Sequence, residues 1–260
     1  MLNTMKKKLA AVAVLTAIAL PAAASVVTVT DGVTPYTFDQ LVVTTEGDSL
    51  ITQTFVDGTN DTFTEIGLTA VATFKNAGGT VGFPTTYDLI FNIDLVGTAA
   101  TTETFAGSGI FDIDVTFGNT SVSTLIHDDV PFGGLDGTST PIATLSGATG
   151  GCDLQVTAAN PTVTTNNGTC NVSFDFDALV AGWFTTSWGE DFTTLTNTPT
   201  IDFSLDIDIT AYDVDSPAPG ITTIMVAHDG SAVINVPEPT SIAILGLGLL
   251  GLAGARRRKS

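Results

Sequence analysis

Four pairs of aspartates, Asp112 with Asp114, Asp175 with Asp177, Asp206 with Asp208 and Asp213 with Asp215, stand two residues apart in this chain. On an extended strand that spacing puts both carboxylates on one face, about 7 Å apart. Such a pair can hold a divalent cation, calcium above all, when loops bring further oxygens to it. Asp112, Asp114, Asp206, Asp208, Asp213 and Asp215 are therefore the candidate metal ligands. No EF-hand loop is among them: Asp57 to Leu68 and Asp213 to Ile224 both lack the glycine at the sixth position and the glutamate at the twelfth. The competing reading is a solvated strand face whose charge discourages edge-to-edge pairing, with no cofactor bound. Two acids about 5 to 9.5 Å apart around a cleft would also serve a glycosidase.

The other reactive groups are sparse. His127 and His228 each precede aspartates and read as exposed loop residues. Between residues 25 and 236 there is one lysine, Lys75, and no arginine, so little is at hand for an oxyanion clamp or an activated nucleophile. An enzyme is not expected. Trp183 and Trp188, in Gly182-Trp-Phe-Thr-Thr-Ser-Trp188, could stack on sugars if exposed; otherwise they are core residues. Cys152 and Cys170 are the only cysteines, and in an exported chain they are expected to pair. The bridge would flank a hairpin with its tip at Asn166-Asn167-Gly168, residues suited to positive φ.

These groups sit on a chain written in strand language. Phe91-Asn-Ile-Asp-Leu95, Phe111-Asp-Ile-Asp-Val115, Phe174-Asp-Phe176 and Leu205-Asp-Ile-Asp-Ile209 alternate apolar with polar at a period of two, as half-buried antiparallel strands do. Turn signals separate them, among them Asp31-Gly32, Gly78-Gly79, Gly118-Asn119 and Asp215-Ser-Pro217. The fold class is all-β, with an antiparallel β-sandwich or jelly-roll-like body over residues 25–235; a closed barrel is the alternative. An outer-membrane barrel would need a continuous apolar outer face and is set aside. One domain is expected, the only candidate boundary being Asp128 to Gly151.

Charge is distributed unevenly. The chain carries 27 acidic and 8 basic residues, but seven of the eight basic ones lie before residue 25 or after residue 255. The body is left strongly anionic. It cannot displace counterions from phosphates, so nucleic acid is excluded as a partner. Direct contact with anionic polysaccharide is also disfavoured unless divalent cations bridge the two. The 43% hydrophobic content, with 15 Phe, argues against disorder.

Both ends read as addresses. Residues 1–24 have a basic start at Lys6, Lys7 and Lys8, an apolar run from Leu9 to Leu20, and Ala22-Ala23-Ala24 before Ser25, the pattern of a cleavable signal peptide. At the other end, Val236-Pro237-Glu238-Pro239 precedes the uncharged stretch 240–255 and the basic tail 256–259, Arg256, Arg257, Arg258 and Lys259. As a helix those 16 uncharged residues would span about 24 Å, somewhat under a bilayer core of about 30 Å. The basic tail would hold the C-terminus on the cytoplasmic side.

This order of motif, Gly/Leu-rich transmembrane helix and basic cluster in residues 236–260 resembles the PEP-CTERM sorting signal of Gram-negative bacteria. The resemblance covers about a tenth of the chain. It implies an exosortase as processing partner, a transient inner-membrane anchor, and transfer of the body to the cell surface or extracellular matrix. It is similar in composition to floc-associated members, which implies exopolysaccharide, biofilm or floc formation as its setting. The expected function is thus a non-enzymatic exported surface or matrix protein. The alternatives are a calcium- or carbohydrate-binding adhesion module and a surface glycoside-active enzyme.

Overall fold

The computed structural model describes residues 25–45, 49–54, 61–82, 88–105, 109–128, 139–159, 162–214 and 221–237. The alternating runs form strands throughout: β1 (Val27–Thr30), β2 (Pro35–Phe38), β3 (Gln40–Thr45), β4 (Ser49–Thr54), β5 (Asp61–Asn76), β6 (Gly79–Gly82), β7 (Asp88–Phe105), β8 (Gly109–Phe117), β9 (Val122–Asp128), β10 (Thr140–Ala159), β11 (Thr162–Leu179), β12 (Phe184–Thr186), β13 (Thr200–Val214) and β14 (Ile221–Asn235). One short 3-10 turn, Phe192–Thr194, is the only helical element among the described residues. The signal peptide 1–24 and the expected transmembrane helix 240–255 lie outside them, and no described helix is long and apolar enough to cross a membrane.

All named strand pairings are antiparallel, and they run in a circle. β3 and β4 lie end to end along one line, as do β8 and β9, so each pair acts as a single stave. From β3/β4 the pairing passes to β5, β7, β8/β9, β10, β11, β13 and β14, and β14 returns to β3/β4. Sequence neighbours are wall neighbours at every step. This is the connectivity of an eight-stave up-and-down barrel, which leaves no open sheet edge along the wall. The expectation of a β-sandwich or jelly roll is corrected here: two separate sheets or a Greek key would need crossovers, and the pairing β5–β7 together with β14–β3 closes the ring instead.

An eight-stranded barrel is just wide enough for side chains to fill. Phe91 on β7 meets Phe203 on β13, four staves away, edge to face at 5.0 Å between ring centres. The barrel is therefore packed, not a pore. Ile51, Phe63, Ile113, Leu145, Leu154, Val172 and Val226 complete the interior from the other staves. Burying a side chain of this kind stabilises by about 1.5–3 kcal/mol. Facing outward between them are Asp94, Asp114, Asp153, Asp175, Asp202, Asp206, Asp208 and Asp229, all exposed. That is the reverse of a lipid-facing wall.

A second sheet, in the order β12-β1-β2, covers one end of the barrel. Its inner face carries Val27, Val29, Tyr36, Phe38 and Phe184 onto Phe74, Phe176 and Phe192, with Tyr36 stacked on Phe74 at 4.5 Å. The β1–β2 turn falls at Asp31-Gly32, where Gly32 has φ +91°.

The register corrects a second expectation. Cys152 lies opposite Cys170, and successive pairs run on to Ala159 opposite Thr162, so the β10–β11 pairing continues well past Asn166-Asn167-Gly168. Asn166, Asn167 and Gly168 are mid-strand, opposite Val156, Gln155 and Leu154. Gly168 serves close approach there rather than a turn: a Cβ on it would lie 2.6 Å from the Asp153 carbonyl oxygen and from Leu154 Cδ2. The disulfide joins Cys152 to Cys170 directly across the two strands, with Cα atoms 4.0 Å apart and both residues buried.

Candidate functional site

The outer wall brings together carboxylates that the sequence keeps far apart. Asp206 on β13 lies directly opposite Asp229 on β14, and Asp114 on β8 lies directly opposite Asp153 on β10. Thr169 on β11 stands between Asp206 and Asp153. The result is a circumferential row, Asp229, Asp206, Thr169, Asp153, Asp114, crossing five neighbouring strands at about 4.8 Å per step. Thr44 on β3 extends it, its hydroxyl donating to Asp229 Oδ1 at 2.7 Å. Asp208, two residues from Asp206 on the same face, adds another exposed carboxylate below the row.

Of the six aspartates singled out as metal candidates, Asp114, Asp206 and Asp208 are exposed on this wall. Asp112 and Asp213 belong to β8 and β13, with side chains outside the described set, and Asp215 lies outside the described residues altogether. In the β8–β10 register Asp112 is paired with Gln155. Among the described residues no group of three or more His, Cys, Asp or Glu side chains converges as a metal cage would require. The wall offers paired and singly spaced carboxylates to solvent. Asp153 and Asp229 were not singled out from sequence, because neither has an acidic neighbour two residues away; only cross-strand register reveals their partners.

The two tryptophans separate. Trp183 is half-buried against the core, its ring 4.6 Å from that of His127. Trp188 is 42% exposed, and its Nε1–H donates to Glu190 at 3.0 Å. Both belong to the cap region around β12. The 3-10 turn beside them is held by Asp191, which accepts from the Thr193 N–H at 2.8 Å, the Thr193 hydroxyl at 2.7 Å and the Gly182 N–H at 2.6 Å. Desolvation pushes the Asp191 carboxyl up, but these donors outweigh it and hold the group below the ordinary aspartate value. Asp31 behaves alike: burial raises it, while the N–H groups of Thr34 and Val33, each at 2.7 Å, bring it below normal, with His127 acting in the same direction.

Neither histidine is the exposed loop residue its acidic neighbours suggest. His127 lies on β9 and His228 on β14, and both are buried. His228 Nε2 contacts Glu65 Oε1 inside the barrel, each residue 1% exposed. Ser123 and Cys170 border the same place, around an internal cavity of about 10 Å³. Both side chains are shut away from solvent, which makes the pair an internal polar contact of the barrel.

The chain enters and leaves the body at one pole. Val236 N–H donates to Ser25 Oγ at 3.1 Å, and the Ser25 hydroxyl lies 3.1 Å from the Val236 carbonyl oxygen to which it donates. Val236 is buried, and Pro237 is the last described residue. Glu238 and Pro239 of the motif and the basic residues Arg256, Arg257, Arg258 and Lys259 lie outside the described residues. No curated protein and no solved structure matches the chain. A family model described as the PEP-CTERM protein-sorting motif matches residues 235–259, beginning at the last residue of β14. That match implies processing by an exosortase and export of an otherwise all-β body by a membrane-associated sorting route to the cell surface.

Proposed function

We propose that this chain is a non-enzymatic surface or extracellular-matrix protein. Its barrel acts as a rigid polyanion in an exopolysaccharide matrix, contributing to biofilm or floc cohesion. The observation that carries this reading is the outward row Asp229, Asp206, Thr169, Asp153, Asp114, in which two carboxylate pairs are held as direct cross-strand neighbours. Like charges so placed repel. A divalent cation, calcium in particular, relieves that repulsion and has coordination positions left for the carboxylates of an anionic polymer or of a second barrel. The disulfide-bonded closed wall keeps these groups in fixed register outside the cell. The exosortase supplies the address, and the inner membrane is a transient anchor.

The experiment is retention of the purified protein on an anionic polysaccharide gel at fixed ionic strength. Calcium is expected to hold it on the gel and a chelator to release it; binding indifferent to calcium would refute the reading. A second reading, a carbohydrate-binding adhesion module, is favoured by Trp188 alone, the exposed indole at the cap. Under it, Trp188→Ala abolishes retention on neutral glycans without changing the melting temperature; equal retention removes it.

A further inference from the structure

The last residue of the body is held in an unusual way. β14 pairs with β13 up to Asn235, opposite Thr200, where the β13 ladder ends. Val236 lies one residue beyond, yet it is only 6% exposed. Its N–H and its C=O are both satisfied by one side chain, the Ser25 hydroxyl, from 211 residues away in sequence. A hydroxyl can accept and donate at once, so Ser25 stands in for one more rung of backbone. Pro237 has no N–H and cannot extend the ladder further. On the far side of Asn235, its Nδ2 donates to Asp202 Oδ2 at 2.6 Å, fixing the same strand end to β13.

This places the edge of the fold against the sorting motif. Only residues 237–239 separate Val236 from Thr240, where the uncharged segment begins. Three residues reach about 10 Å at full extension. An enzyme that cleaves near the motif must take up an extended peptide on both sides of the bond. With Val236 fastened, the upstream residues are part of the barrel wall and the cap sheet stands beside them.

We propose that Ser25 is a latch on the sorting signal. Closed, it keeps Val236, the first residue of the motif, within the body; its opening, with fraying of Ile234 and Asn235 from β13, precedes processing. This rests on the exosortase reading. Ser25 is also the residue that signal-peptide removal after Ala24 would leave first, so the latch is set by where that cut falls.

The test follows conversion of the full-length chain to its processed form by pulse-chase, in a host carrying the exosortase. Ser25→Ala removes both hydrogen bonds to Val236 and is expected to speed conversion at least about fivefold, the factor set by one net hydrogen bond, and up to about thirtyfold if both contribute fully. Ser25→Thr, which keeps the hydroxyl, is expected to convert at the wild-type rate. Amide exchange at Val236 in the purified full chain should accelerate by a similar factor in Ser25→Ala. Asn235→Ala loosens the same strand end and should also speed conversion, which keeps the test open if Ser25→Ala folds poorly. If Glu238→Ala blocks conversion while Ser25→Ala and Asn235→Ala convert at or below the wild-type rate, the latch is refuted and the exosortase reading stands. If Glu238→Ala is converted normally, the exosortase reading itself fails.

Discussion

Replacing Asp206 with Asn should stabilise this barrel. Asp206 and Asp229 face each other across β13 and β14, and Cα atoms of such pairs lie about 4.5–5.5 Å apart. With the charges taken about 5 Å apart and a solvent-like dielectric, their repulsion is roughly 0.8 kcal/mol, and it grows as the local dielectric falls. Asp206→Asn removes it and leaves the Thr44 hydroxyl bond to Asp229 in place, which makes it a cleaner change than Asp229→Asn. For a body of this size about 1 kcal/mol corresponds to a rise of about 2–4 °C in melting temperature. Scanning calorimetry at low ionic strength reads the gain. In about 1 M NaCl, where the Debye length is about 3 Å, most of it should vanish. Asp94→Asn is the control for net charge alone, because Asp94 faces Ile66 on one side and Val122 on the other and has no acidic partner. Calcium should lift the melting temperature of wild type more than that of Asp206→Asn. An unchanged or lowered melting temperature for Asp206→Asn at low salt, or an equal gain from Asp94→Asn, would refute the argument.

Further perturbations have defined outcomes. Replacing Cys152 and Cys170 together by alanine opens a buried cross-strand bridge between residues 18 apart, and denaturant unfolding should show a loss of about 3 kcal/mol. His228→Leu leaves Glu65 buried without its partner and should cost about 3–5 kcal/mol, whereas Glu65→Leu combined with His228→Leu should cost less than His228→Leu alone. Asp31 and Asp191 have folded pKa values below the unfolded value of about 3.9, so their stabilisation is complete above that pH and lost as pH falls through the folded values. Acid titration followed by Trp fluorescence should show the cap around Trp183 and Trp188 loosening below about pH 4, and Asp191→Asn should blunt that transition.

Much of the local structure was legible because packing in a thin wall enforces a period of two. Phe111-Asp-Ile-Asp-Val115 and Leu205-Asp-Ile-Asp-Ile209 are strands, and Ile113, Val115, Leu205 and Ile207 in them are buried, as their pattern states. Closure was not legible, since nothing in β5 or β14 alone says that each also pairs with β3/β4. The tip of the β10–β11 hairpin was misplaced because Asn and Gly favour turns but Gly also permits close strand approach, and at Gly168 the second reason prevails. Alternation misled most where the barrel turns its pattern over. Leu50, Ile66 and Met225 are exposed cross-strand neighbours, while Gln53, Glu65 and His228 on the same staves point inward. Register is set by the whole ring, so one stave follows its neighbours even against its own hydrophobicity. The carboxylate row was half-visible for the same reason: Asp114 and Asp206 could be picked from spacing, but Asp153 and Asp229 needed the ladder.

The most direct test of the polyanion account is retention of the full body on an anionic polysaccharide, with calcium varied at constant ionic strength and magnesium and sodium as comparators. The account predicts saturable, chelator-reversible retention that weakens when Asp114, Asp153, Asp206 and Asp229 are replaced together by Asn. Retention that ignores calcium, or that survives loss of all four carboxylates, would contradict it.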